Sequence, residues 1–337
     1  MVRFVVRRLA IIPLALLIVN FFAYSYAYLA RPMRAARIPY LATSLPPAEP
    51  EQLLSTYQGY LEQAIHLDFG AIPPGANQVL RRLWEQHGTV NIGQAIFKSG
   101  LASLGLLLVA LALSVTVGLS LGLSLAHSNP PRVSRLLTVL STPGLAMPSF
   151  YLGSIFVFAL FRYKLSGGPG TEMPLPMSGF GWDEHLVLPT IALMARPTVQ
   201  IAQITASLLV DEFEQQYIVT ARSVGHRWRT IRRKHALRNI VASVVLTISG
   251  SFRLLMGELI LVEWLFGWPG LGTLLAQTLI PSNISAAVGT PLFLDAPVVS
   301  AVLTVFAAFF LMSDLIASVL VRLLDPRLGA LEQEAGS

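Results

Sequence analysis

Two groups of residues in this sequence could do chemistry. The first is a set of ionisable side chains placed inside apolar runs: Arg253, Glu258 and Glu263 between 240 and 266, and Asp314 between 297 and 324. Such groups are costly in hydrocarbon and commonly mark a substrate path, an ion path or a proton relay. The second is the polar stretch from Asp211 to Asn239, which holds seven of the 24 Lys and Arg residues. It has Gly225 at its middle and ends in Arg227, Arg229, Arg232, Arg233, Lys234 and Arg238. No nucleophile, base and orienting acid fall in a readable arrangement. Neither HExxH nor the phosphate-cradling GxxxxGKS/T is present. The six His are scattered and Cys is absent, which excludes disulfides and thiolate-held metal. These residues predict no catalysis by the chain, no metal and no cofactor of its own.

Depth sharpens the first group. At about 1.5 Å per residue, Arg253 stands about 20 Å along its run from the 240 end, and Glu258 and Glu263 stand about 27 and 34 Å along it. Asp314 stands about 26 Å from the 297 end of the next run. Arg253 is therefore the deep charge. Glu258 and Glu263 are expected near one boundary, within reach of water or headgroups, and Asp314 near the other. Glu263 and Asp314 suit interfacial or inter-subunit polar contacts, while Arg253 and Glu258 suit the lining of an aqueous cavity. Five residues are about 140° round a helix, so Arg253 and Glu258 are not expected to pair. No ladder of acids crosses the membrane, which weakens a proton-coupled carrier.

The elements that must hold these residues are membrane helices. The chain has 337 residues, 54% of them hydrophobic and 12% charged, against about 25% charged in ordinary soluble domains. Its mean hydropathy is +0.62. The net charge of +6 sits mostly in short loops beside apolar runs, so it does not argue for nucleic acid. Six runs are long enough to span, each near the roughly 20 residues a bilayer requires. They cover 9–30, 100–126, 136–161, 186–210, 240–266 and 297–324. The first could be taken for a signal peptide, but no small-residue cleavage site follows it. Pro143 and Pro148 fall inside the third run and predict a kink or a break. Gly118 and Gly122 in the second permit close helix contact. Between the first two runs, 31–98 is predicted to form a helical loop subdomain. Leu53, Leu54, Tyr57, Tyr60, Leu61 and Ile65 recur there at helical spacing, and a second short helix is expected over 78–86.

Orientation follows from the basic residues near span ends. Arg3, Arg7, Arg8, Arg132, Arg135, the seven in 211–239, Arg322 and Arg327 share one side, and in the shorter loops only Arg162 and Lys164 face them, 31–98 being long enough to be exempt from the rule. Both termini and the 211–239 loop are therefore expected in the cytoplasm, with 31–98 outside. Within that loop, Tyr217, Ala221, Val224 and Gly225 recur on one helical face, shallow enough for another protein to approach. Attraction of the basic half to anionic lipid is the competing explanation.

Residues Tyr217 to Gly225, YIVTARSVG, followed by His235 to Asn239, HALRN, resemble the coupling-loop motif of ABC importer permeases. The closest resemblance is to the first permease of the dipeptide, oligopeptide and nickel uptake group. Further matches run in order along the chain: Arg7-Arg8-Leu9, Tyr60-Leu61 through Asp68-Phe69-Gly70, Pro148 to Gly153, Leu188-Pro189, Glu263 through Trp268-Pro269-Gly270-Leu271-Gly272, Asp314, and Asp325-Pro326-Arg327. The resemblance implies an all-α fold of six transmembrane helices. It divides the chain into 1–30, the 31–98 loop subdomain, a 99–324 permease core and a 325–337 tail. It implies ATPase coupling through Asp211, Tyr217, Thr220, Ala221, Arg222 and Gly225. Implied partners are a second homologous permease, two ATPases that hold ATP and magnesium, an extracytoplasmic binding protein and membrane lipid. Peptides are the default cargo, with nickel chelates, glutathione or sugars left open. The rival class is an ion-gradient carrier, for which neither internal repeats nor an embedded ion site is found. The chain departs from the family's pattern at Arg31-Pro32-Met33, at an insertion over 281–292, and at Arg253 and Glu258.

Overall fold

The computed structural model describes residues 2–35, 49–66, 92–128, 131–168, 171–279 and 293–324. The helix expected over 78–86, the insertion at 281–292 and the tail at 325–337 lie outside the described residues. The described chain is helical, apart from one small antiparallel hairpin. Four helical stretches are long and apolar enough to cross a membrane: 5–34, 92–125, 228–266 and 296–324. A bent pair, 135–146 with 149–166, counts as a fifth if it crosses as one span. This is a multi-pass membrane protein.

The chain forms two compact units. The first unit takes residues up to Gly105 together with Phe266–Leu311. It contains helix α1 (Val2–Ala35), α2 (Leu53–Ile65), the start of α3 (Ile92–Leu125), α9 (Leu271–Leu279) and the start of α10 (Ala296–Leu324). The helical spacing from Leu53 to Ile65 is realised in α2. Its Tyr57 and Tyr60 are buried against Tyr24 and Ala27 of α1, while Leu54 and Ile65 stay exposed. Asn20 is the polar node of this contact. Its amide donates to the Tyr60 hydroxyl at 3.1 Å and to Thr304 Oγ1 at 2.9 Å, and its carbonyl accepts from Tyr57 at 3.1 Å. A buried amide needs such partners, so α2 is fastened to the flank of α1. Trp268, fully buried, donates its indole N–H to the Ala102 carbonyl at 3.1 Å, and Leu271 N–H donates to Ser103 Oγ at 2.7 Å.

The second unit holds the rest of α3, strands β1 (Ala126–Ser128) and β2 (Pro131–Val133), and helices α4 (Arg135–Ala146) and α5 (Ser149–Ser166). It continues with α6 (Val187–Phe213), α7 (Gln216–Ser223), α8 (Leu237–Phe266) and the end of α10. The break predicted by Pro143 and Pro148 is sharper than a kink, because α4 and α5 meet at 92°. The residue before a proline is driven out of the α region, and Met147 accordingly has φ −82 and ψ 121.

Helix α6 is the spine of this unit. Ala192, Leu193, Ile201, Ala202, Ala206 and Leu209 are fully buried along it. Faced by protein on several sides, it does not carry the apolar excess of a lipid-exposed span. Helix α3 approaches it through Ser114, Gly118 and Gly122, four residues apart. Ser114 Oγ lies 3.3 Å from the Met194 carbonyl. A Cβ on Gly118 would lie 2.9 Å from the Thr198 carbonyl, and one on Gly122 would lie 2.8 Å from that of Ala202. The close contact foreseen for these two glycines is therefore with α6.

Candidate functional site

The polar loop is a built structure. Helix α6 ends at Phe213, and the chain turns through Glu214 and Gln215 into α7. Two hydrogen bonds end α7, from Gly225 N–H to the Arg222 carbonyl at 2.9 Å and from His226 N–H to the Ala221 carbonyl at 3.1 Å. This paired closure places its C′ residue in the left-handed region, and Gly225 has φ +88. Ile218 is fully buried and ties α7 to the core formed by Leu209, Phe213, Ile231, Ala236 and Ile240. Trp228 follows, its ring edge-on to Phe213 at 4.8 Å, with the Arg222 guanidinium 5.8 Å from its centre.

A wide turn then carries the basic residues. Ile231–Ala236 is a π-helical turn leading into α8. Residues five apart on an α-helix point about 140° away from each other. The wider turn brings Ile231 and Ala236 to the same buried side, both with no exposed surface. Arg232 donates to the Leu123 carbonyl at 2.9 Å, one of the end carbonyls that a helix cannot satisfy internally. Part of the basic cluster is thus structural.

A polar tether fixes the angle of α7. The Tyr217 hydroxyl donates to the Glu212 carboxylate, and Asn239 Nδ2 donates to both, at 3.0 Å each. Burial first, then the bond to Glu212 and that carboxylate's charge, push the Tyr217 phenol above its ordinary range. Asn239 pulls the other way. The predicted shallow face therefore divides. Tyr217 and Ala221 are half-buried against the chain's own core. The reason is that Ile218 commits that side of the helix inward. Val219, Thr220, Arg222, Ser223, Val224 and Gly225 are exposed, as is Asp211 at the end of α6.

The membrane charges form two groups in the same unit. Glu258 is 13% exposed. Its Oε1 accepts from Arg196 Nη1 at 2.7 Å, and its Oε2 accepts from the Ser149 hydroxyl and from Ser149 N–H at 3.1 Å. One carboxylate thus joins α6, α8 and the N-terminus of α5, where exposed N–H groups favour negative charge. Arg253 faces Asp314 at 3.4 Å, with both side chains more than a third exposed. As expected, Arg253 and Glu258 have separate partners. Glu263 has no exposed surface.

The expectation that Glu258 and Glu263 would be open to water or headgroups is corrected. Distance along a helix fixes depth but not facing, and both side chains turn into protein. Sequence reasoning also passed over Arg196 and Ser149. The available signals were an arginine inside the apolar run at 186–210, and a serine directly after the proline that breaks the third run. A separate cavity of about 420 Å³ lies in the first unit, lined by Asn20, Tyr60, Phe97, Leu101, Thr304 and Phe309. Its polar groups bond to one another, and the remaining lining suits hydrocarbon.

Residues 118–330 match the family described as binding-protein-dependent transport system inner membrane component. A protein of Brucella abortus (strain 2308), whose name proposes a peptide transport system permease, is 31% identical over 70% of this chain and 71% of its own length. The oligopeptide transport system permease protein AppB of Bacillus subtilis is 28% identical over 66% of this chain and 67% of its own. The glutathione transport system permease protein GsiC of Escherichia coli (strain K12) is 26% identical over 82% and 79%.

Proposed function

This chain belongs to the family of binding-protein-dependent transport system inner membrane components, and on that premise we propose that it is a permease subunit of an ATP-driven importer of di- and oligopeptides. It forms half of the pathway, and a second homologous permease forms the other half. Two cytoplasmic ATPases supply the energy, with ATP and magnesium held there. An extracytoplasmic binding protein delivers cargo, and this chain carries no catalytic step. The six spans are α1, α3, the α4–α5 pair, α6, α8 and α10, with both termini in the cytoplasm. The membrane is the cytoplasmic (inner) membrane of a bacterium or archaeon. Cargo is read from the relatives, whose names carry peptide, oligopeptide and glutathione. Glutathione is itself a small peptide.

The observation that carries the coupling role is the two-sided build of α7. One side is anchored by Ile218 and by the Glu212–Tyr217–Asn239 tether, while the other shows Val219 and Val224 at 53% and 72% exposure. A rigidly held helix with exposed apolar residues in a water-facing loop suits a protein partner better than a lipid surface. In this reading ATPase closure pushes α7, with Asp211, Tyr217, Thr220, Ala221, Arg222 and Gly225 as its coupling residues. The push passes through the tether into α6 and α8. Arg253, Glu258 and Asp314 border the path, while Glu263, buried in the chain, supports α8.

Gly225 tests this. A Cβ there would meet nothing within 4 Å, so Gly225→Ala costs only the left-handed backbone, about 1–2 kcal/mol, and uptake persists. Gly225→Arg places a long cation on the docking surface. It should abolish uptake and detach or uncouple the ATPases, with membrane insertion intact. Uptake by Gly225→Arg at the wild-type rate would overturn the assignment.

A further inference from the structure

We infer that Arg196 is an anion-binding position in the translocation path that receives a carboxylate of the cargo. This rests on the peptide-import reading above. Arg196 is the tenth residue of α6, about 14 Å from the helix start and about 26 Å from its end at 1.5 Å per residue. It is a mid-span cation, yet its side chain is one-third exposed. A guanidinium at that depth does not face acyl chains, and it turns to protein or to a water-filled cavity. On this proposal the exposed third faces the water-filled path between the two permeases.

The hydrogen bonding leaves Arg196 with capacity to spare. A guanidinium has five N–H donors in a planar fork. Among the described residues its one hydrogen bond is from Nη1 to Glu258. Glu258 is in the opposite condition, with both oxygens engaged and little surface left. The acid is used up in holding the arginine and the start of α5, while the arginine keeps a free edge. Such an edge takes a carboxylate through two parallel N–H···O bonds. A peptide with a free C-terminus supplies that group, and the two free carboxylates of glutathione supply it as well. Because Glu258 also holds Ser149, cargo drawn to Arg196 would pull on the broken α4–α5 span. Glu258 is a positioning residue in this arrangement.

The chain has no cysteine, so Arg196→Cys places a single thiol in it. The test uses the full complex, with its ATPases and binding protein, in proteoliposomes. A membrane-impermeant methanethiosulfonate should modify Cys at 196, and failure to react would overturn the proposal by showing the position covered. Uptake of a free-carboxylate tripeptide by Arg196→Cys should fall about tenfold or more, the loss set by a charge-assisted hydrogen-bond pair. An aminoethyl adduct, which restores a cation, should recover much of it, and a sulfonatoethyl adduct should not. The same adducts made in Arg196→Cys/Glu258→Gln separate binding from charge balance. If Arg196 binds cargo, the uncharged double variant stays slow and the cationic adduct speeds it. If Arg196 only neutralises Glu258, the double variant already transports like wild type, and the proposal fails. Absence of tripeptide uptake by the wild-type complex would count against the peptide reading instead.

Discussion

Alanine placed at two kinds of glycine should move stability in opposite directions. Gly122 of α3 lies against α6, and a Cβ there would sit 2.8 Å from the Ala202 carbonyl oxygen and 2.8 Å from Thr205 Cβ. Carbon pairs are most favourable at about 3.5–4.0 Å, so the helices must part by roughly 0.7 Å. The obstructing atoms are backbone and Cβ, which cannot rotate away. Overpacking of this kind costs about 1–3 kcal/mol, and its upper half is expected here. Against this, alanine gains about 1 kcal/mol of helix propensity over glycine, leaving Gly122→Ala about 1–2 kcal/mol less stable. Gly250 and Gly257 of α8 have nothing within 4 Å of a built Cβ. There only the propensity gain remains, so Gly250→Ala and Gly257→Ala should be neutral or more stable by up to about 1 kcal/mol. Equilibrium unfolding of the isolated chain in mixed detergent micelles, followed by helicity, measures all three. Because one retreat of α6 relieves both clashes, Gly118→Ala/Gly122→Ala should cost less than its parts added together. Gly122→Ala proving as stable as Gly250→Ala would refute the close-contact argument.

Two further outcomes follow from particular contacts. The raised phenol of Tyr217 is stabilising in its neutral form. Its contribution is full below about pH 10, the ordinary tyrosine value, and is lost as pH rises through the higher folded value. Thermal midpoints from pH 8 to 11 should fall more steeply for the wild type than for Tyr217→Phe, and parallel curves would sink the tether. Trp268→Phe removes the indole donor to the Ala102 carbonyl and leaves a buried acceptor, at a cost of about 1–3 kcal/mol. Circular dichroism melts should show it, and an unchanged midpoint would mean that the carbonyl finds another donor.

Much of the helix layout was legible because long apolar runs, prolines and glycines act locally. The α4–α5 break follows from the local effect of Pro148 on Met147, and the end of α7 at Gly225 follows from a left-handed turn that glycine enters freely. Helix facing was less legible. Tyr217 and Ala221 share a face with Gly225 on a helical wheel, but which face meets solvent depends on where Ile218 finds its core. Glu258 illustrates the same point. Its depth was countable, whereas its partners Arg196 and Ser149 are 62 and 109 residues away in sequence. No local pattern links them.

The sequence by itself determined the membrane class, the position of the polar loop and the family motif that runs through it. Each of these is a property of composition or of short spacing. Tertiary structure decided the rest of the site. It turned one side of α7 inward and left Val219 and Val224 outside. It folded the start of α5 onto Glu258, and it left Arg196 with donors in reserve. The physical reason is that a helix dictates which residues share its face, while only packing against distant helices decides what that face will meet.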